Sequence, residues 1–106
     1  TTVRVPVYRS HAESVNVEFE SAVSLEDARK ALAAFPGVIL RDNPAEQEYP
    51  MPLFTSGKTD VEVGRLRLDE STENALNFWI CGDQIRKGAA LNTLQIAEYM
   101  IAHELV

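Results

Sequence analysis

A chain of 106 residues is one domain or less, and its formal charge of −6 argues against nucleic acid as a main partner, because phosphate backbones need a basic surface. The composition is globular, at 45% hydrophobic and 25% charged residues. The single Cys excludes an intrachain disulfide and fits a reducing, cytoplasmic compartment, while no apolar run reaches the ~18 residues of a membrane span.

The first stretch begins with Val3, Val5 and Val7 at alternate positions, which predicts a strand. Pro6 cannot donate to a ladder, so this is an edge strand or one that stops there. The stretch also holds a fixed cation, Arg4, and a group that titrates near neutral pH, His11. In one unbroken strand their Cα atoms would be about 23 Å apart, with side chains on opposite faces. A shared site therefore requires a break between Pro6 and Ala12, with both side chains opening onto a common cleft. Val15, Val17 and Phe19 then alternate with polar residues, as in a half-buried strand.

Ser24 and Asp27 resemble a capping box, and Ala28, Ala31 and Leu32, with Leu25 and Phe35, form an apolar helical stripe that Pro36-Gly37 ends. Val38-Ile39-Leu40 reads as a short strand. Turn signals at Asn43-Pro44, Pro50-Met51-Pro52 and Ser56-Gly57-Lys58 predict a long connection over 42–60. Val61 to Leu68 is a strand whose parity shifts at Gly64, the expected place for a bulge. Ala75 to Cys81 is apolar on both faces apart from Asn77, which predicts a central, covered strand. The last helix falls between Gln84 and Leu105, with Ala90, Leu94, Ala97, Ile101 and Leu105 on one face. Leu91, Ile96, Tyr99 and Met100 widen that face beyond what one small sheet needs.

Few residues here could do chemistry. Cys81, at the end of an apolar run, reads as a small buried hydrophobe. His11 and His103 are the only histidines, and no Cys/His spacing fits a metal site. His103 suits a helix C-terminus. Lys58, Arg86 and Lys87 are candidate phosphate contacts. Gln84, at a strand-to-helix corner, offers an amide that caps the helix or binds a carboxamide.

Three runs together resemble the aspartate-β-semialdehyde dehydrogenase family. They are Arg4-Val5-Pro6-Val7 leading to Ser10-His11-Ala12-Glu13, then Val63-Gly64-Arg65-Leu66-Arg67, and then Cys81 through Asn92. The resemblance covers essentially the whole chain, as the C-terminal portion of such an enzyme. It implies an α+β fold: a mixed sheet with covering helices, part of a glyceraldehyde-phosphate-dehydrogenase-like catalytic and dimerisation domain over 1–83. Residues 84–106 would be a C-terminal helix packing on the missing nucleotide-binding domain.

The activity implied is reduction of β-aspartyl phosphate to aspartate semialdehyde and phosphate with NADP(H), in the supply of lysine, threonine and methionine. Arg4 would bind the substrate carboxylate, His11 would be the acid/base and Gln84 would meet the cofactor. The enzyme would be a homodimer or homotetramer that takes a small-molecule substrate. The family's Cys nucleophile and Gly-rich nucleotide turn match nothing here, and the chain begins without Met inside an apparent strand, as an excised segment would. Alone, it is expected to be inactive. Tyr8-Arg9-Ser10 departs from the residues other members carry before the His. The alternatives are a stand-alone dimerisation or binding module, and a glutamyl-type acyl-phosphate reductase.

Overall fold

The computed structural model describes residues 3–106. Its strands are β1 (His11–Glu18), β2 (Val38–Leu40), β3 (Val61–Leu68) and β4 (Ala75–Gly82). They form one sheet in the order β1-β4-β3-β2. β3 and β4 are antiparallel neighbours, β1 adds antiparallel to the far side of β4, and β2 runs parallel to β3. The parallel pair requires a crossover, which the segment 41–60 between β2 and β3 supplies, while helix α1 (Leu25–Ala34) packs on β2 and β3. The mixed sheet with helices agrees with the α+β expectation.

Local chemistry explains most of these elements. Ser24 caps α1, its Oγ accepting the Asp27 N–H at 3.0 Å. The inner stripe is narrower than the sequence suggested. Leu25, Ala28 and Leu32 are half-buried, but Phe35 lies beyond the helix and is 65% exposed. The core is small and lies along the central strands, at Val63, Leu66, Ala75, Leu76 and Cys81. β4 is central as expected, yet Phe78, Trp79 and Ile80 are only half-buried, so its faces are not fully covered.

The bulge expected at Gly64 is present: the β3–β4 register shifts between Gly64 and Arg67. Arg65 takes a left-handed φ of 56°. Asp42 holds it there, accepting the N–H groups of Arg65 at 2.7 Å and Leu66 at 3.3 Å. Arg29 from α1 closes the same carboxylate at 2.5 Å. Gly64 itself lies against backbone, since a Cβ there would stand 2.1 Å from the Arg41 carbonyl oxygen.

One expectation needs correcting. Residues 3–10 form no strand. The alternating valines are overridden by Pro6, around which the Val7 N–H bonds the Val5 carbonyl at 2.8 Å in a tight turn. The long connection expected over 42–60 is present and packed. It holds a 3-10 turn (Pro44–Glu46) and a short helix α2 (Pro52–Thr55), with Pro50 and Thr55 buried.

After β4 the chain makes a π-type turn (Arg86–Ala90) and continues as α3 (Leu91–Ala102). α3 packs chiefly against that turn and buries none of its residues. Leu94, Tyr99 and Ile101 are 62%, 59% and 69% exposed.

Candidate functional site

His11 is the first residue of β1 and pairs across the ladder with Gly82, the last of β4. The strand starts there because the chain kinks just before it. Bends at Pro6, Tyr8 and Arg9 lead to Ser10, whose φ is 81°. A left-handed non-glycine residue costs roughly 1–2 kcal/mol, so something must hold it. Three groups do. The Ser10 N–H donates to Gln84 Oε1 at 2.7 Å, its hydroxyl lies 3.0 Å from the Gly82 carbonyl oxygen, and the same hydroxyl meets Thr55 Oγ1. Ser10 and Thr55 are both buried.

Asp83, one residue past β4, is fully buried. It receives Arg9 Nε at 2.6 Å, the Gly57 N–H at 2.6 Å, the Ile85 N–H at 2.9 Å and the Arg86 N–H at 3.0 Å. Burial alone would raise this carboxyl, but the donated bonds of Gly57, Arg86, Arg9 and Ile85 outweigh it and hold the pKa at about 2. Its bonds to Ile85 and Arg86 are those of a helix cap.

Beside this junction, and lined in part by Asp83 itself, is a cavity of about 130 Å³. His11, Glu13, Ile80, Gly82, Gln84 and Lys87 are among its lining residues. The structure thus brings His11 and Gln84 to one cavity. Arg4 is exposed on the irregular segment before the kink and does not line it.

The candidate phosphate contacts are each engaged by groups of the chain itself. Arg86 Nη1 donates to the Gly57 carbonyl oxygen at 2.5 Å, Lys87 Nζ to Gln95 Oε1 at 2.5 Å, and Lys58 lies 4.0 Å from Glu62. Burial pushes the Cys81 thiol up to about 11, with the Glu62 charge adding to the shift, so it remains a protonated thiol. His103 caps α3, stacked on Tyr99 at 3.9 Å. Among the described residues no cluster could hold a metal ion, and no helix is long and apolar enough to cross a membrane.

Sequence reasoning passed over Asp83, Ser10 and Thr55. Asp83 had a readable signal, an Asp directly before a helical pattern. Ser10 and Thr55 had none, since their roles arise from contacts distant in sequence.

Residues 1–87 match the family model for the semialdehyde dehydrogenase dimerisation domain. An aspartate-semialdehyde dehydrogenase of Prochlorococcus marinus is 50% identical over 101 residues, covering 95% of this chain and 29% of the relative. One from Aquifex aeolicus is 47% identical over 106 residues, covering 100% and 31%. Among solved structures, aspartate semialdehyde dehydrogenase II of Vibrio cholerae, complexed with ASA, superposes with a TM-score of 0.84 at 37% identity. That match covers 93% of this chain and 29% of the solved one. The chain therefore spans less than a third of the length of these relatives.

Proposed function

The chain belongs to the semialdehyde dehydrogenase dimerisation-domain family, and on that premise we propose that the complete protein is an NADP-dependent aspartate-semialdehyde dehydrogenase. It reduces β-aspartyl phosphate to aspartate semialdehyde and phosphate, in the cytoplasm, for the aspartate-derived amino acids. The observation that carries the reading is the cavity shared by His11 and Gln84. A histidine and a side-chain amide both line it, in a chain of the semialdehyde dehydrogenase family.

Each residue has a task suited to its chemistry. His11 is the acid/base. It would take the proton of a thiol nucleophile supplied by the rest of the chain, and return a proton to the substrate oxygen. Arg4 offers a planar fork for the substrate carboxylate. The cofactor supplies the reducing equivalents. With Gln84 Oε1 taken by Ser10, Gln84 still offers its NH2 group, a donor matched to a carboxamide oxygen. That fits the nicotinamide end of such a cofactor.

The remaining length of the protein would cover the apolar residues of α3, and a second copy would complete at least a homodimer. The unpaired, buried Cys81 accords with a reducing compartment.

The test is phosphate-dependent oxidation of aspartate semialdehyde by NADP+, measured on the purified complete protein. His11→Ala should abolish turnover. Arg4→Lys should raise the substrate KM, because a point charge does not reproduce the fork. A complete protein that dimerises but shows no such turnover would instead be a binding module.

A further inference from the structure

The first residue of an edge strand is where a ladder frays. His11 occupies that position at the end of β1, and among the described residues β1 is bonded on one side only, to β4. An acid/base group must nonetheless be held within about 0.5 Å of its productive place. Pairing with Gly82 does not by itself secure a strand end of this kind.

The chain just before His11 carries a set of bonds that does. Arg9 gives its Nε–H to Asp83, and Ser10 gives its N–H to Gln84, each across 74 residues of sequence. The same Asp83 carboxylate caps Ile85 and Arg86 and takes Gly57, so three segments meet on one group. The cost of the arrangement also points to a purpose. A fully buried carboxylate and a left-handed serine are both unfavourable unless their surroundings fix them. Both lie next to the cavity that His11 lines.

We propose that Asp83 is a positioning residue for His11, acting through Arg9 and the Ser10 kink to stop the catalytic end of β1 from fraying. This rests on the acid/base role given to His11 above.

Arg9 provides the gentler way in, because its side chain is 42% exposed and its loss leaves the caps of Ile85 and Arg86 in place. In the complete protein, Arg9→Met should lower kcat about tenfold or more, with the substrate KM within about twofold of the parent. Arg9→Lys, which restores a donor to Asp83, should recover most of the rate. Hydrogen exchange gives a readout independent of turnover. In Arg9→Met the amides of Ser10 to Ala12 should exchange faster, while those of Phe78 to Ile80 keep their protection.

Unchanged kcat with unchanged exchange at Ser10 to Ala12 would overturn the proposal. So would a loss of protection spread evenly over β4, which marks general destabilisation. If the complete protein has no reductase activity in any form, the functional reading fails, and exchange alone decides whether Asp83 holds the end of β1.

Discussion

Arg41 and Glu62 form a two-pronged pair, with Nε and Nη2 of the guanidinium 2.8 and 3.3 Å from the two carboxylate oxygens. Glu62 is 1% exposed in the middle of the sheet, and Arg41 follows the parallel strand β2. The guanidinium also lies over the Phe54 ring, 5.6 Å from its centroid, which ties α2 to the pair. Removing Arg41 would leave the buried Glu62 carboxylate to Lys58, 4.0 Å away. Arg41→Met should therefore destabilise the domain by about 3 kcal/mol, read from urea midpoints. Glu62→Gln should cost less, since it removes the buried charge and keeps an acceptor for Arg41. The reverse order would mean that the Glu62 charge is not what Arg41 serves.

Gly64 has no room for a side chain. A Cβ would stand 2.1 Å from the Arg41 carbonyl oxygen and 2.7 Å from Pro50 Cδ. The first of these is backbone held in the β2–β3 pairing, where the Arg41 N–H bonds the Val63 carbonyl oxygen at 2.8 Å. Gly64→Ala should cost about 3 kcal/mol and lower the melting temperature accordingly. A stability equal to the parent would show that β2 can move aside.

Ser10 separates two effects that its kink combines. Ser10→Gly removes the hydroxyl bonds to Gly82 and Thr55 but relieves the left-handed φ. Ser10→Ala loses the same bonds and keeps the steric cost. The alanine variant should be the less stable of the two, by about 1 kcal/mol. Equal melting temperatures would mean the φ is not strained.

Asp83 sets an acid limit. Its folded pKa of about 2 lies below the ordinary 3.8, so the unfolded chain binds the proton more readily. The stabilisation is complete above the unfolded pKa and is lost as pH falls through the folded one. The stability gap between the parent and Asp83→Asn should stay constant from neutral pH to about 4, then narrow towards pH ~2. A gap that stays constant down to pH ~2 would mean the carboxylate is not the stabilising form.

Cys81 should resist alkylation. It is fully buried, and its thiol is pushed up to about 11. At pH ~8 a native complete protein treated with iodoacetamide should leave the Cys81 peptide unmodified, and denaturant should expose it. Rapid labelling of that peptide in the folded protein would contradict the burial.

The sequence was most informative where a residue's role is local. The Ser24 cap, the bulge at Gly64 and the central place of β4 follow from neighbouring residues or from strand periodicity. It misled at Val3 to Val7, where period-two patterning competed with Pro6 and the turn prevailed. Phe35 looked like part of a helical stripe because a periodic pattern does not mark where a cap falls. The site was half legible. His11 and Gln84 stand out as residue types at telling places. Nothing near Arg9 or Ser10 in the sequence points to Asp83, because that junction exists only once β1 lies on β4.

The sheet order bears on the route by which the domain folds. β3 and β4 are joined by a short connection, Asp69 to Asn74, and can close as a hairpin at little entropic cost. β1 must instead be captured by β4 from the far end of the chain, a contact of high order and so of slow formation. The central hairpin is thus expected to form early, with the edge bearing His11 last. During refolding, the β3 and β4 amides should gain protection from hydrogen exchange before those of β1, and the lag between them times the docking of β1.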